Sequence, residues 1–254
     1  MNIWGYSDLG NLLKKIPNLK NGIIVDTNIL ISATYELDKF NEVALDFIDL
    51  VIENKIPLYC NVNVRSEFLE IHRRILFSEA ILDFEKDCQK DLLPSTLASM
   101  LTTYRNKYER RQKNNPDSPL RLSEAEIKEI KLEMLHVYGT KNNLWHELCE
   151  DRIGDKLVNI WLDTKSALNL NFLSLREEDQ RLHLNEKPDW DGVSRLMSSH
   201  GVSSADAMIL NMFFSSKFEA IATSDIDIAL AVKTENRAGK VCILPDKAKS
   251  KITI

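Results

Sequence analysis

The first periodic signal along the chain is helical. Between Ser7 and Lys15, Leu9, Leu12 and Leu13 form an apolar stripe behind a capping serine, and Pro17 and Gly22 then interrupt it. The run Gly22-Ile-Ile-Val-Asp26 is compact and β-branched and ends in an acid, which predicts a strand buried on both faces with a carboxylate at its carboxyl end. Phe40, Val43, Ala44, Phe47, Ile48 and Val51 recur at helical spacing, Ile56 to Cys60 predicts a second strand, and Val64, Phe68, Ile71 and Ile75 open a further helix with Glu67 in an early turn. Strand, helix, strand, helix is the pattern of a parallel sheet with right-handed crossovers.

After about Leu76 strand-like runs become scarce until about Phe218, and helical signals fill the interval. Tyr104 to Lys113 is basic, Pro116 and Pro119 mark a loop, and Ser123 with Glu126 forms a capping box before Ile127, Ile130, Met134 and Val137, with Gly139 closing that helix. Ile153, Leu157, Ile160, Trp161 and Leu168 continue the helical pattern, and the polar stretch from Arg176 to Gly192, with Pro188, reads as a loop or weak helix. The α/β signal then returns. Ala205, Met208, Ile209, Met212 and Phe213 predict a helix with Asp206 in its first turn, Phe218 to Thr223 a strand leading to Asp225, and Lys240 to Leu244 a last strand. The expectation is an α/β core built from residues 1–76 and 200–254, interrupted by a helical insertion at 77–199. Trp4, Trp145, Trp161 and Trp190 are expected to pack the extra helices against that core.

Composition narrows the classes. With 44% hydrophobic and 28% charged residues the chain is an ordinary folded protein. A net charge of -5 argues against coating nucleic acid through bulk positive charge, although a local basic patch is compatible with it. Cys60, Cys88, Cys149 and Cys242 lie far apart without zinc-finger spacing, so neither a zinc module nor a disulfide framework is expected. Residues Met1 to Lys20 lack a signal-peptide core, and no stretch approaches the ~20 apolar residues of a membrane span. A reduced, cytoplasmic protein without a membrane partner is the expectation. The histidines are scattered, and with Gly at only 8 positions there is no phosphate-cradling glycine loop.

The chemistry lies in the acids. In an open parallel sheet, ligands bind beyond the carboxyl ends of the strands where strand order reverses. Asp26 and Asp225 follow predicted strands, while Glu67 and Asp206 sit in early turns of helices entered from the same edge, so these carboxylates should face one crevice. Two like charges ~4 Å apart cost about 4 kcal/mol at an effective dielectric of ~20. One or two Mg²⁺ or Mn²⁺ ions would remove the conflict. Taken singly, each acid has a plainer reading: Asp26 and Asp225 as caps, Glu67 as a solvated helix acid, Asp206 as a first-turn acid stabilised by the helix dipole. Asp227 reads equally as a further metal carboxylate or as a cap of the next helix. The joint order and placement point to a metal site.

These residues resemble the PIN-domain nucleases. Ile24-Val25-Asp26-Thr27-Asn28-Ile29-Leu30 is similar to the family's first motif, Asn61-Val-Asn-Val-Arg-Ser-Glu67 to its second, Ser203-Ser-Ala-Asp206 to its third and Ala222-Thr223-Ser-Asp225-Ile-Asp227 to its fourth. The resemblance implies a PIN-like three-layer α/β/α fold with a central, mainly parallel sheet carrying a large helical insertion. It implies Asp26, Asp206 and Asp225 as metal ligands with Asp227 as a further candidate, Glu67 completing the catalytic set, and Thr27, Asn28 and Thr223 orienting the acids. The reaction would be Mg²⁺- or Mn²⁺-dependent phosphodiester hydrolysis leaving 5′-phosphate and 3′-hydroxyl ends. Single-stranded RNA is favoured over DNA as substrate, and an inhibitor protein of the toxin–antitoxin kind is a candidate partner, although the chain is much longer than the family's small toxins. Arg65, Arg73, Arg105, Arg110 and Arg111 are the candidates for holding phosphate, the last three on one helix with Tyr104 and Tyr108. A flap-type DNA nuclease and a non-catalytic scaffold binding a protein through its insertion are the alternatives.

Overall fold

A computed structural model describes residues 2–87, 93–114, 122–138, 144–173 and 176–252. The expected loop at Pro116 and Pro119, the helix end at Gly139, and Cys88 lie outside the described residues. The chain divides into two compact units, the first comprising Met1–Glu36, Phe40–Phe68 and Thr164–Ile254, the second Leu37–Lys39 and Leu69–Asp163.

The elements follow in chain order as β1 (Ile3–Gly5), α1 (Leu9–Lys15), β2 (Ile23–Val25), α2 (Thr27–Thr34), α3 (Asn41–Glu53), β3 (Leu58–Cys60) and α4 (Val62–Asp87). Helices α5 (Ser95–Asn114), α6 (Glu124–Tyr138), α7 (Leu144–Arg152) and α8 (Gly154–Ala167) come next. The chain closes with β4 (Leu170–Phe172), α9 (Glu177–His183), α10 (Trp190–His200), α11 (Ser204–Ser215), β5 (Ala220–Ala222), α12 (Ile226–Glu235), β6 (Val241–Leu244) and α13 (Asp246–Ile252).

All six strands are parallel, in the order β1-β6-β5-β2-β3-β4. The β-branched and small residues of the inner strands explain their place: Ile23, Ile24 and Val25 in β2 and Ala220, Ile221 and Ala222 in β5 are buried throughout, as parallel strands covered on both faces must be. Right-handed crossovers put α2 and α3, between β2 and β3, on one face, and α12, between β5 and β6 where the order runs the other way, on the opposite face. This sheet is compatible with a three-layer α/β/α architecture.

Two strands escape the periodicity. β1 and β4 are the two edge strands of the sheet, and neither is the continuous buried apolar run that marks the inner strands. β4 pairs with β3 through Leu58↔Leu170 and Cys60↔Phe172, so residues 164–199, expected in the helical insertion, lie with the sheet. The polar stretch from Arg176 to Gly192 contains α9 and the start of α10, whose cap is Asp189 accepting from the Asp191 amide.

Specific contacts pin the first unit. Phe47, Phe68 and Phe213 are fully buried, and Tyr6 stacks on Phe47 with centroids 4.1 Å apart. Gly22 enters β2 at φ +135°, and a Cβ there would meet the Tyr59 ring at 2.4 Å, so only glycine fits. Lys240 donates from Nζ to the carbonyls of Phe213, Ser216 and Phe218 at 2.8, 2.7 and 2.6 Å, closing the turn between α11 and β5. His200 and Glu235 meet at 2.9 Å, joining the ends of α10 and α12.

The second unit is helical and has its own core, formed by Ile81, Leu97, Leu101, Ile127, Ile130 and Met134 among others. The Ser123–Glu126 capping box is present, with Ser123 N donating to Glu126 Oε2 at 2.6 Å and Glu126 N to Ser123 Oγ at 3.2 Å. Trp145 stacks on Phe77 in this core and Trp161 is buried, whereas Trp190, expected to pack, is 64% exposed. Among the described residues no helix is long and apolar enough to cross a membrane, and Cys60, Cys149 and Cys242 are free.

Candidate functional site

Strand order reverses between β2 and β5: the chain leaves β2 toward β3 and β4, and leaves β5 toward β6. Parallel strands diverge in their connections at such a point and leave a crevice beyond their carboxyl ends. Asp26 is the first residue past β2, and its amide donates to the Ala222 carbonyl at the end of β5 at 2.9 Å. Thr223 and Asp225 follow β5, and Glu67 of α4 and Asp206 of α11 belong to the same unit.

Asp26 is 1% exposed and fully engaged. Its Oδ1 accepts from the Thr27 amide at 2.7 Å, and its Oδ2 accepts from Thr223 Oγ1 at 2.7 Å and from Asn28 Nδ2 at 3.2 Å. Thr27 Oγ1 donates to Glu67 Oε2 at 2.8 Å, so one threonine ties Asp26 through its amide and Glu67 through its hydroxyl. Thr223 Oγ1 in turn accepts from the Asp225 amide at 2.9 Å. The residues expected to orient the acids, Thr27, Asn28 and Thr223, all contact Asp26.

The electrostatics show that the acids share one field. Burial pushes Asp26 up to about 7; the Thr223 hydroxyl pulls it back, negative charge on Glu67 pushes it further up, the Thr27 amide lowers it, and Asp206 raises it. Asp225 is also raised, first by burial, then with its own backbone bonds opposing and the charges of Asp206 and Asp227 adding. Tyr6, whose ring lies in the core, has a buried hydroxyl with no hydrogen-bond partner among the described residues. Burial raises it well above its ordinary value, and the charges of Cys242 and Asp26 add to this, so the phenol keeps its proton. Nothing in the sequence pattern marks Tyr6.

The same acids cap helices. Asp26 is the N-cap of α2, and Asp225 is the N-cap of α12, its Oδ1 accepting from the Asp227 amide at 2.7 Å. Asp227 therefore sits in the first turn of α12, exposed, and is not the cap. Asp206 closes a capping box on α11, its Oδ2 accepting from Ser203 Oγ at 2.6 Å and from Ser203 N at 3.3 Å. Ser203-x-x-Asp206 carries that signal in sequence.

Among the described residues no three of His, Cys, Asp and Glu are gathered to hold a metal ion. The acids share a field but, as their side chains stand, are not drawn together as one ligand set. The physical reason is in the caps, since Asp206 turns back to Ser203 and Asp225 to α12, where backbone donors offset charges that would otherwise repel.

The arginines divide between the units. Arg65 is exposed on α4 in the first unit, its guanidinium 5.9 Å from the Phe172 ring. Arg73, Arg105, Arg110 and Arg111 belong to the helical unit. Arg73 is committed there to Glu70, at 2.8 Å, and to Glu124, which hold its guanidinium protonated far above any working pH. Arg105 is half-buried. On the same helix Lys107 pairs with Glu126 and Tyr104 donates to Glu129 at 2.7 Å, so much of the basic run is used in joining α5 to α6. Arg110 and Arg111 are exposed.

No protein-family model, no curated protein and no solved structure matches the chain.

Proposed function

We propose that the protein is a divalent-cation-dependent endonuclease of PIN-like type that hydrolyses phosphodiester bonds in single-stranded RNA. The observation that supports this reading most is Asp26, a buried carboxyl at the switch point of a parallel sheet, with Glu67 tethered beside it through Thr27 and the charges of Asp206 and Asp225 in the same field. Carboxylate oxygens without imidazole or thiolate suit Mg²⁺ or Mn²⁺. Asp26, Asp206 and Asp225 would hold the ion, and Asp227 stands exposed nearby as a further oxygen donor. When bound, such a cation offsets charge on the phosphoryl oxygens and lowers the pKa of a coordinated water.

The chain's own residues set the remaining conditions. Asp26 keeps a proton up to about pH 7, so taking up the ion near neutrality displaces that proton. Thr223 and Asn28 fix the Asp26 carboxyl plane. With Oε2 occupied by Thr27, Glu67 keeps Oε1 for orienting an attacking water and taking its proton. The choice of RNA over DNA and the 5′-phosphate product rest on the motif resemblance alone.

The test is a panel of labelled single-stranded RNA, single-stranded DNA and flap substrates incubated with Mn²⁺ or Mg²⁺, with and without chelator. Chelator-sensitive cleavage of single-stranded RNA is expected, lost in Asp206→Asn. Cleavage by Asp206→Asn at the wild-type rate sinks the site, and absence of cutting in every lane sinks the activity.

A further inference from the structure

The acids do not account for the cleft beside them. A cavity of about 380 Å³ opens in the first unit between the first turn of α4, the segment at Lys187 and Pro188, and one face of α11. This is within the size range of sites that hold small organic groups, about 300–1,000 Å³. Its walls are apolar: Pro188, the Trp190 ring, Met208 and Met212. Trp190 is 64% exposed, an unusual position for the largest apolar side chain, and its ring forms one side of the opening.

A second observation is independent of the apolar walls. Asn211 lines the same cleft and is 7% exposed, yet among the described residues its carboxamide makes no hydrogen bond. With no hydrogen bond of its own among the described residues, the carboxamide is left for a ligand in the cleft to pair with. Asn63 also lines the cleft, as does Lys187, which is exposed and without an ion pair among the described residues. The acid on the rim, Glu177, is already bound to Arg181 at 3.0 Å.

We infer that this cleft is a nucleobase subsite for single-stranded nucleic acid. A flat aromatic group entering it stacks on Trp190 over the two methionines, presents its polar edge to the Asn211 carboxamide, and leaves its phosphate within reach of Lys187. A carboxamide pairs naturally with the adjacent donor and acceptor on a base edge. The base must be unpaired, because only single strands expose both a base face and its pairing edge. The cleft is built in part from α4 and α11, the two helices that carry Glu67 and Asp206. Asn63 lies one turn before Glu67 on the same face of α4, whereas Met208, Asn211 and Met212 occupy the face of α11 turned away from Asp206. The inference rests on the nuclease reading for its choice of ligand, and makes the subsite the element that selects single strands.

The test is fluorescence anisotropy of labelled single-stranded RNA and DNA 12-mers, and of a duplex of the same sequence, in chelator so that nothing is cut. Trp190→Ala, a change at an exposed position, is expected to weaken single-strand binding by about fivefold to a hundredfold, the range for loss of one stacked base. Trp190→Phe should recover most of it, and binding of the single strand should quench wild-type tryptophan emission but not that of Trp190→Phe. Asn211→Leu should weaken binding of some bases more than others. In cleavage assays Trp190→Ala should raise KM with kcat within about twofold. A single-strand affinity unchanged in Trp190→Ala, or no affinity in the wild type, overturns the subsite, including the case in which the cleft captures an apolar peptide side chain instead. If the oligonucleotides bind through Trp190 but no metal supports cleavage, the subsite stands and the nuclease reading falls. Metal-dependent cleavage that ignores Trp190 gives the reverse.

Discussion

Replacing Asp26 by asparagine should stabilise the protein while abolishing its activity. In the native chain Asp26 keeps its proton to about pH 7, whereas in an unfolded chain an aspartate releases it near 3.9, roughly. The native state thus holds the proton more tightly. The stability this confers is present in acid and is lost as pH rises from about 4 through about 7, at an integrated cost on the order of 4 kcal/mol by pH 8. Asparagine carries no charge and escapes that cost. It retains an oxygen for the Thr27 amide, but its NH₂ faces two donors, Thr223 Oγ1 and Asn28 Nδ2. Thr223 can rotate to accept; Asn28 loses its partner, which offsets about 1–2 kcal/mol. The net expectation is a gain of about 2 kcal/mol at pH 8, or roughly 4–8 °C in Tm for a chain of this size. At pH 5 the wild type is itself protonated at Asp26 and the gain should shrink or change sign. Thermal unfolding followed by circular dichroism, in chelator at both pH values, measures this. A variant less stable than the wild type at pH 8, or displaced equally at both, refutes the reasoning. Adding Mn²⁺ should raise the Tm of the wild type and leave the variant unmoved.

Thr27→Val should keep the fold and reduce kcat by about 10- to 100-fold, because Glu67 loses the hydroxyl that fixes its Oε2, while KM changes little; single-turnover cleavage measures it, and an unchanged kcat removes Glu67 from its positioned role. Lys240→Met should cost about 3 kcal/mol or more in urea unfolding, since three carbonyls lose an ammonium donor in a buried turn; a loss under 1 kcal/mol, roughly the value of an ordinary surface change, would contradict the clamp. Burial pulls His72 down to about 4, so the unfolded chain takes up a proton near pH 6.5, roughly, that the native chain refuses. Stability is therefore lost as pH falls from there toward 4, and His72→Leu should flatten that limb of the urea-unfolding profile relative to the wild type.

Much of the core was legible because its strands are inner ones. Ile23, Ile24 and Val25 are buried on both faces, and such strands must be continuous apolar runs. β1 and β4 were not legible for the converse reason: each lies at an edge, where Gly5 ends the apolar run of β1 after two residues and the exposed Asn171 interrupts that of β4. Missing β4 misplaced the return from the helical unit by some thirty-five residues, from 164 to 200. Trp190 was misread because hydrophobicity predicts burial only on average. α10 buries Val193 and Leu196, and Trp190, preceding them at the first helical position, falls outside that stripe.

The acids were legible as a group and ambiguous one by one, and the structure gives the reason. At the carboxyl edge of a parallel sheet, the residue leaving a strand is also the residue entering a helix, so a carboxylate there caps the helix and faces the crevice at once. Asp26 accepts the Thr27 amide and Asp225 the Asp227 amide, while Asp206, which follows α10 and not a strand, accepts from the Ser203 amide and hydroxyl. The plain reading of Asp26 and Asp225 as caps and the proposed functional reading of the set therefore draw on the same atoms and do not exclude one another. Backbone donors at helix N-termini stabilise negative charge by about 0.3–1 kcal/mol each, far less than the repulsion of fully converged carboxylates, about 4 kcal/mol per close pair. The fold can thus hold the acids near one another but not together, and under the proposed function a cation or, at Asp26, a proton would supply the difference.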